Sequence, residues 1–320
     1  MSKKYEKLYN AIKNSSNIMI VPHKYPDGDA LGSSLALYIS LKKMGKKVWL
    51  ISHTPIPEKY KFLAENYTFL PLELVTSDLD LIIGVDCADK ERLALPDEYL
   101  EKAKIVVNID HHITNDNFGD INIVQGQAAT GEIIVDILDD FEMEIDKEIA
   151  TCLYTAIATD TGNFMYSNTT KNTLERTAEL FDTGFEFVEI ARKLFLERSL
   201  VQTKLMGIAI NSMELYEKNK IALIRITKDD LAYAGAKEGD CESLVNTAVD
   251  IDCVEIAIFI REINKSFYKV SFRSKGEYDV AATAQKFGGG GHKNAAGCAV
   301  SGDFETIKNN VINVVKNMFN

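Results

Sequence analysis

The sequence predicts an α/β fold in two domains: a mostly parallel sheet between layers of helices, then a helical linker and a smaller mixed α/β domain, with a cleft between the domains. Three observations predict it. At 320 residues the chain exceeds one ordinary core, because domains run to about 100–200 residues. Short apolar runs alternate with helical patterns through the first half, as strands joined by helical crossovers do. After a nearly unbroken helical stretch, strands return near Ile221.

In chain order, Ile18–Val21, Lys47–Ile51, Leu79–Val85 and Ile105–Ile109 are predicted strands. Their near-continuous apolar character is that of strands covered on both faces. Leu31–Met44 is a helix stopped by Gly45. Apolar periodicity then predicts helices over Thr130–Asp140, Lys147–Thr159, Lys171–Asp182, Phe187–Phe195 and Leu200–Glu217. Strands follow at Ile221–Ile226, Val254–Arg261 and Phe267–Arg273, then a helix over Asp279–Phe287, a glycine-rich turn, a strand-like run Ala296–Val300 and a last helix over Phe304–Met318. These elements divide into a first domain over 1–186, a helical linker over 187–217 and a second domain over 218–320.

Composition narrows the function. Apolar residues make up 46% and charged residues 26%, the balance of an ordered globular chain. A net charge of −11 argues against tracking long nucleic acid, which needs clustered Lys and Arg to neutralise phosphates. The five cysteines are scattered without a CxxC pair, so neither a zinc cluster nor a disulfide framework is expected. No secretory signal or membrane-spanning apolar run is visible, which predicts a cytoplasmic protein away from membranes.

Chemistry gathers where elements end. HKYPDGD places His23, Asp27 and Asp29 after the first strand; Asp86 ends the run Leu79–Val85; Asp110, His111 and His112 end Ile105–Ile109; Asp160 ends a helix. Each piece has an ordinary use as a turn, a helix cap or a buried histidine, but those uses do not predict His and Asp together at several strand ends. The carboxyl edge of an open parallel sheet is where ligands bind. Carboxylates crowded there repel and resist desolvation unless a cation compensates them. Oxygen and imidazole donors without thiolate point to Mn²⁺, with Mg²⁺ or Co²⁺ as competitors and zinc still open. Two such ions suit in-line displacement at phosphorus. In the second domain, FGGGGHKNAAG offers backbone N–H groups to an anion at Gly288, Gly289, Gly290 and Gly291, beside His292, and Arg273 ends a strand where it could grip a phosphate.

Together these motifs resemble the DHH phosphoesterase family with its DHH-associated C-terminal domain, over essentially the whole chain: HxxxDxD at His23–Asp29, Asp86, the DHH triplet Asp110–His112, TDTGNF around Asp160 and FGGGGH…AAG. The layout is similar to the bacterial nano-RNase branch. That resemblance implies one metal on His23, Asp27 and Asp86 and a second on Asp29, Asp86, His111 and Asp160, with Asp86 bridging. It implies that Asp110 orients the neighbouring histidines, that His112 contacts the scissile phosphate or acts as general acid, and that Arg273, His292 and Gly288–Gly291 hold the substrate. The implied activity is hydrolysis of short oligoribonucleotides to mononucleotides and of adenosine 3′,5′-bisphosphate to AMP, with short DNA and small nucleotides as further substrates and a homodimer as an open assembly. Rival readings are a phosphodiesterase for linear or cyclic dinucleotides such as pApA, and a nucleotide-binding regulator without turnover. One position departs from the family pattern: many relatives carry Arg where this chain has Met165, which removes a candidate phosphate contact.

Overall fold

The apolar runs of the first half form a parallel sheet of β1 (Asn17–Pro22), β2 (Lys47–Leu50), β3 (Leu81–Val85), β4 (Ile105–Asp110) and β5 (Ile121–Val124), in the order β2-β1-β3-β4-β5. The computed structural model describes residues 4–75, 78–241 and 243–319. Alternation along β1 shows why both faces need cover. Ile18 and Ile20 pack into one core with helical residues such as Leu35 and Ile157, while Met19 and Val21 pack with Ile82, Cys87, Leu93 and Leu95 on the other side. The helices of this part are α1 (Glu6–Asn14), α2 (Gly28–Lys43), three short ones, α3 (Lys61–Ala64), α4 (Lys90–Leu93) and α5 (Asp97–Lys102), and then α6 (Thr130–Asp140), α7 (Lys147–Asp160), α8 (Lys171–Phe181) and α9 (Phe187–Phe195).

Two features of this layout position a site. The strand order reverses between β1 and β3, which opens a crevice beyond their carboxyl ends. The second is the close antiparallel pairing of α2 with α7, made possible by two glycines. A Cβ on Gly32 would lie 2.3 Å from the Cys152 carbonyl oxygen, and one on Gly28 2.4 Å from Thr159 Oγ1. This contact lays the start of α2, with Asp29, beside the end of α7, with Asp160. The strand β5 was not anticipated; it is four residues long and joins β4 through turns rather than a helix, so no helical pattern announces the crossover.

The chain divides into two compact units between Glu197 and Arg198. The helical stretch expected as a linker splits there: Ile190 and Leu194 of α9 enter the core of the first unit, whereas Leu205 and Ala209 of α10 (Leu200–Asn211) pack within the second. The second unit is a mixed sheet of β6 (Glu214–Tyr216), β7 (Ile221–Ile226), β8 (Ile256–Asn264), β9 (Phe267–Ser274), β10 (Gly290–His292) and β11 (Ala295–Ser301), ordered β10-β11-β9-β8-β7-β6. α10, α11 (Lys228–Ala234) and α12 (Leu244–Val249) lie on one face, and α13 (Val280–Gln285) and α14 (Phe304–Lys316) on the other.

Two expectations are corrected here. The helix expected to reach Glu217 stops at Asn211, because the Ser212 hydroxyl donates to Ala209 O at 2.8 Å while its oxygen accepts from Arg225 N at 2.8 Å, tying the chain to β7. Residues Glu217, Lys218 and Asn219, all at positive φ, then turn β6 back onto β7. The glycine run is not an open turn throughout, since Gly290–His292 pairs with β11 as an edge strand. Close backbone approach explains two of the four glycines: a Cβ on Gly289 would lie 2.2 Å from Gly297 O, and one on Gly291 2.5 Å from Ala295 O. Among the described residues no helix is long and apolar enough to cross a membrane.

Candidate metal centre

His23 leaves the end of β1 and is buried; its Nε2 lies 3.8 Å from Asp27 Oδ1 and 3.8 Å from Asp86 Oδ2. Asp27 caps α2, with Oδ1 accepting from the N–H groups of Asp29 and Ala30 at 3.1 Å each. Asp86 follows β3 at φ +61, a left-handed conformation that costs a β-carbon residue roughly 1–3 kcal/mol and gathers at functional sites. Its N–H donates to Ile109 O at 2.9 Å, which ties the strained residue to β4. Asp29 is 1% exposed, and each of its oxygens is engaged: Oδ1 accepts from Ser33 Oγ and Gly131 N at 2.9 Å each, Oδ2 from Thr130 N at 2.6 Å.

From the end of β4, His111 points Nε2 at three carboxylates: Asp160 Oδ2 at 3.5 Å, Asp86 Oδ1 at 3.6 Å and Asp29 Oδ2 at 3.9 Å. Its Nδ1 lies 3.2 Å from Gln127 O. Donation from Nδ1 to that carbonyl leaves Nε2 with its lone pair facing the acids, the arrangement a metal-ligating imidazole requires. His112 is held differently, with Nδ1 2.7 Å from Oδ1 of the fully buried Asp110. The Asp110 carboxylate also accepts from Asn115 Nδ2, and Asn115 Nδ2 donates to Cys87 O at 2.9 Å.

Charge is the distinctive property of the cluster. Burial, with Asp86, Asp160 and Asp27 nearby, pushes the Asp29 carboxyl well above the usual range. Burial raises Asp86 as well, and it pushes Asp160 up to about 6. Three acids that resist ionisation at one point are a deficit of positive charge. The His112 imidazole moves the other way from a buried base, its pKa raised by the bond to Asp110. Burial alone would raise Asp110 too, but the bonds from His112 and Asn115 hold its carboxyl below the usual range.

The donor atoms fall into three groups, each with its atoms within 4.8 Å of one another: His23, Asp27 and Asp86; Asp29, His111 and Asp160; and Asp86, His111 and His112. The structure thus brings together all six residues that the sequence suggested as metal ligands, with Asp110 and His112 beside them. In the second unit, Arg273 lies on β9 opposite Ala295 of β11, Gly288 is left-handed at φ +74, and Gly290, Gly291 and His292 form the exposed edge strand. Met165 is exposed on the turn after Asp160. Sequence reasoning missed Thr130, Gln127 and Asn115, which orient the acids and imidazoles; their residue types in loops and at a helix start carry no signal of that role.

Residues 17–157 match the DHH family, N-terminal domain, and residues 203–318 match the DHHA1 domain. A bifunctional oligoribonuclease and PAP phosphatase of Thermus thermophilus is 33% identical over 302 residues, covering 93% of this chain and 89% of that one. A protein of the same description from Bacillus subtilis is 29% identical over 299 residues, or 92% of each chain. Among solved structures, an exopolyphosphatase-related protein from Bacteroides fragilis aligns with a TM-score of 0.89 at 28% identity, covering 98% of this chain and 95% of that one.

Proposed function

The chain belongs to the DHH family of phosphoesterases, and from that premise we propose that it is a metal-dependent hydrolase which degrades short oligoribonucleotides to mononucleotides and converts adenosine 3′,5′-bisphosphate to AMP. The observation that carries this reading is Asp86, a buried carboxylate shared between two donor groups, with Oδ2 toward His23 and Oδ1 toward His111. In this reading His23, Asp27 and Asp86 hold one divalent ion, and Asp29, Asp86, His111 and Asp160 hold a second. Donors of oxygen and imidazole type favour Mn²⁺, with Mg²⁺ or Co²⁺ as substitutes. Two such ions supply Lewis acidity at the phosphoryl oxygens and a water of lowered pKa.

The protein's own groups do the rest. Gln127 O fixes the His111 tautomer. Asp110 holds His112 with Nδ1 protonated and keeps the imidazolium favoured, so His112 supports charge on the phosphate and gives a proton to the leaving ester oxygen as the P–O bond breaks. In the second unit, Arg273, His292 and the edge glycines Gly290 and Gly291 are the proposed substrate contacts, suited to a terminal phosphate; the N–H groups of Gly288 and Gly289, expected to face an anion, instead donate to Gln285 O at 3.0 Å and Ala284 O at 2.9 Å. The net charge of −11 fits short substrates held locally rather than long chains held along a basic surface.

A substrate panel tests this. With Mn²⁺, the full chain is expected to release mononucleotides from RNA of a few nucleotides faster than from RNA several times longer, to form AMP from adenosine 3′,5′-bisphosphate, and to lose both activities with chelator. Turnover of pyrophosphate alone, or equal rates on short and long RNA, would overturn it.

A further inference from the structure

Ordinarily a helix start is capped by the residue just before it, but the residue before α6 is Ala129, whose side chain makes no cap. The cap comes instead from Asp29, about a hundred residues earlier, which accepts the N–H groups of Thr130 and Gly131. Gly131 lets the start of α6 pack closely on α7, since a Cβ there would lie 2.7 Å from Ala156 Cβ. Thr130 is fully buried, and its hydroxyl is free to look elsewhere. It donates to Asp86 Oδ1 at 2.9 Å. One residue therefore touches both acids, Asp29 through its backbone and Asp86 through its side chain. With Oδ1 engaged by Thr130, the Asp86 carboxylate turns that oxygen toward His111 and His112, at 3.6 and 3.7 Å, and leaves Oδ2 facing His23.

The geometry points to Thr130 as a positioning residue that sets the orientation of the shared carboxylate and so tunes the affinity of the centre for divalent metal. This rests on the metal reading of the site. A hydroxyl that only filled space would have no need to reach an acid, and a buried hydroxyl left unbonded is destabilising. Hydrogen-bond partners behind metal ligands commonly change metal affinity by about 10–100-fold when removed.

The test is calorimetric titration of the metal-free full chain with Mn²⁺ alone, comparing the unmodified protein with Thr130→Val, which keeps the shape and removes the hydroxyl, and Thr130→Ser, which restores it. The expected result is Mn²⁺ affinity weakened about tenfold or more in Thr130→Val at one or both sites, and close to the unmodified value in Thr130→Ser. If Thr130→Val fails to fold by circular dichroism, Thr130→Ala takes its place. Unchanged affinity in the hydroxyl-free variant would overturn the assignment, as would equal weakening in Val and Ser variants, which would mark a packing role. An unmodified chain that bound no Mn²⁺ would overturn the metal reading itself, a failure distinct from either of these.

Discussion

Asp86→Asn is expected to lower dinucleotide turnover by about a thousandfold or more, roughly 4 kcal/mol, the scale of removing one charged member from a buried ionic cluster. The side chain is 2% exposed and faces His23, His111 and His112, and a neutral amide cannot bridge two cations as a carboxylate does. The fold should survive. Asn keeps an oxygen to accept the Thr130 hydroxyl, and it tolerates the left-handed backbone at this position well. Burial raises the Asp86 pKa in the folded chain, so near neutral pH its charge opposes folding when no metal is bound. The metal-free variant should therefore melt at or above the temperature of the unmodified protein while being nearly inactive. Turnover close to normal would remove Asp86 from the centre of the account.

Asp110→Asn is expected to reduce kcat by about 10–100-fold and to move the alkaline limb of its pH profile to lower pH. Asp110 raises the His112 pKa through the 2.7 Å bond to Nδ1. If protonated His112 supplies the leaving-group proton, activity is present below that pKa and lost as pH rises through it. Replacing the carboxylate by an amide removes the charge that holds the proton, so the loss begins at lower pH. Stopped assays of kcat across pH distinguish the alternatives: an unmoved limb with only KM raised would make His112 a phosphate contact rather than an acid.

Much of this site was legible because its chemistry sits at the ends of apolar runs. β3 and β4 read directly as buried strands; Asp86 directly follows β3, and Asp110 is the last residue of β4, with His111 and His112 immediately after it. The convergence of Asp29 and Asp160 was harder to read, because it depends on how tightly α2 packs on α7, a contact set by the absence of Cβ atoms at Gly28 and Gly32. The supporting residues were not legible. Thr130 reaches an acid 44 positions away, and Gln127 serves through its backbone carbonyl, which any residue possesses. In the second unit the four glycines suggested a flexible anion-binding turn, but part of the run is an edge strand, and neighbouring backbone leaves no space for a side chain at Gly289 or Gly291.

At the centre lies the claim that Asp86 is shared by two cations. Titrating metal-free protein with Mn²⁺ and counting bound ions by elemental analysis after gel filtration tests it directly. Two ions per chain are expected for the unmodified protein and fewer for Asp86→Asn. A single ion, or two ions in both proteins, would contradict it.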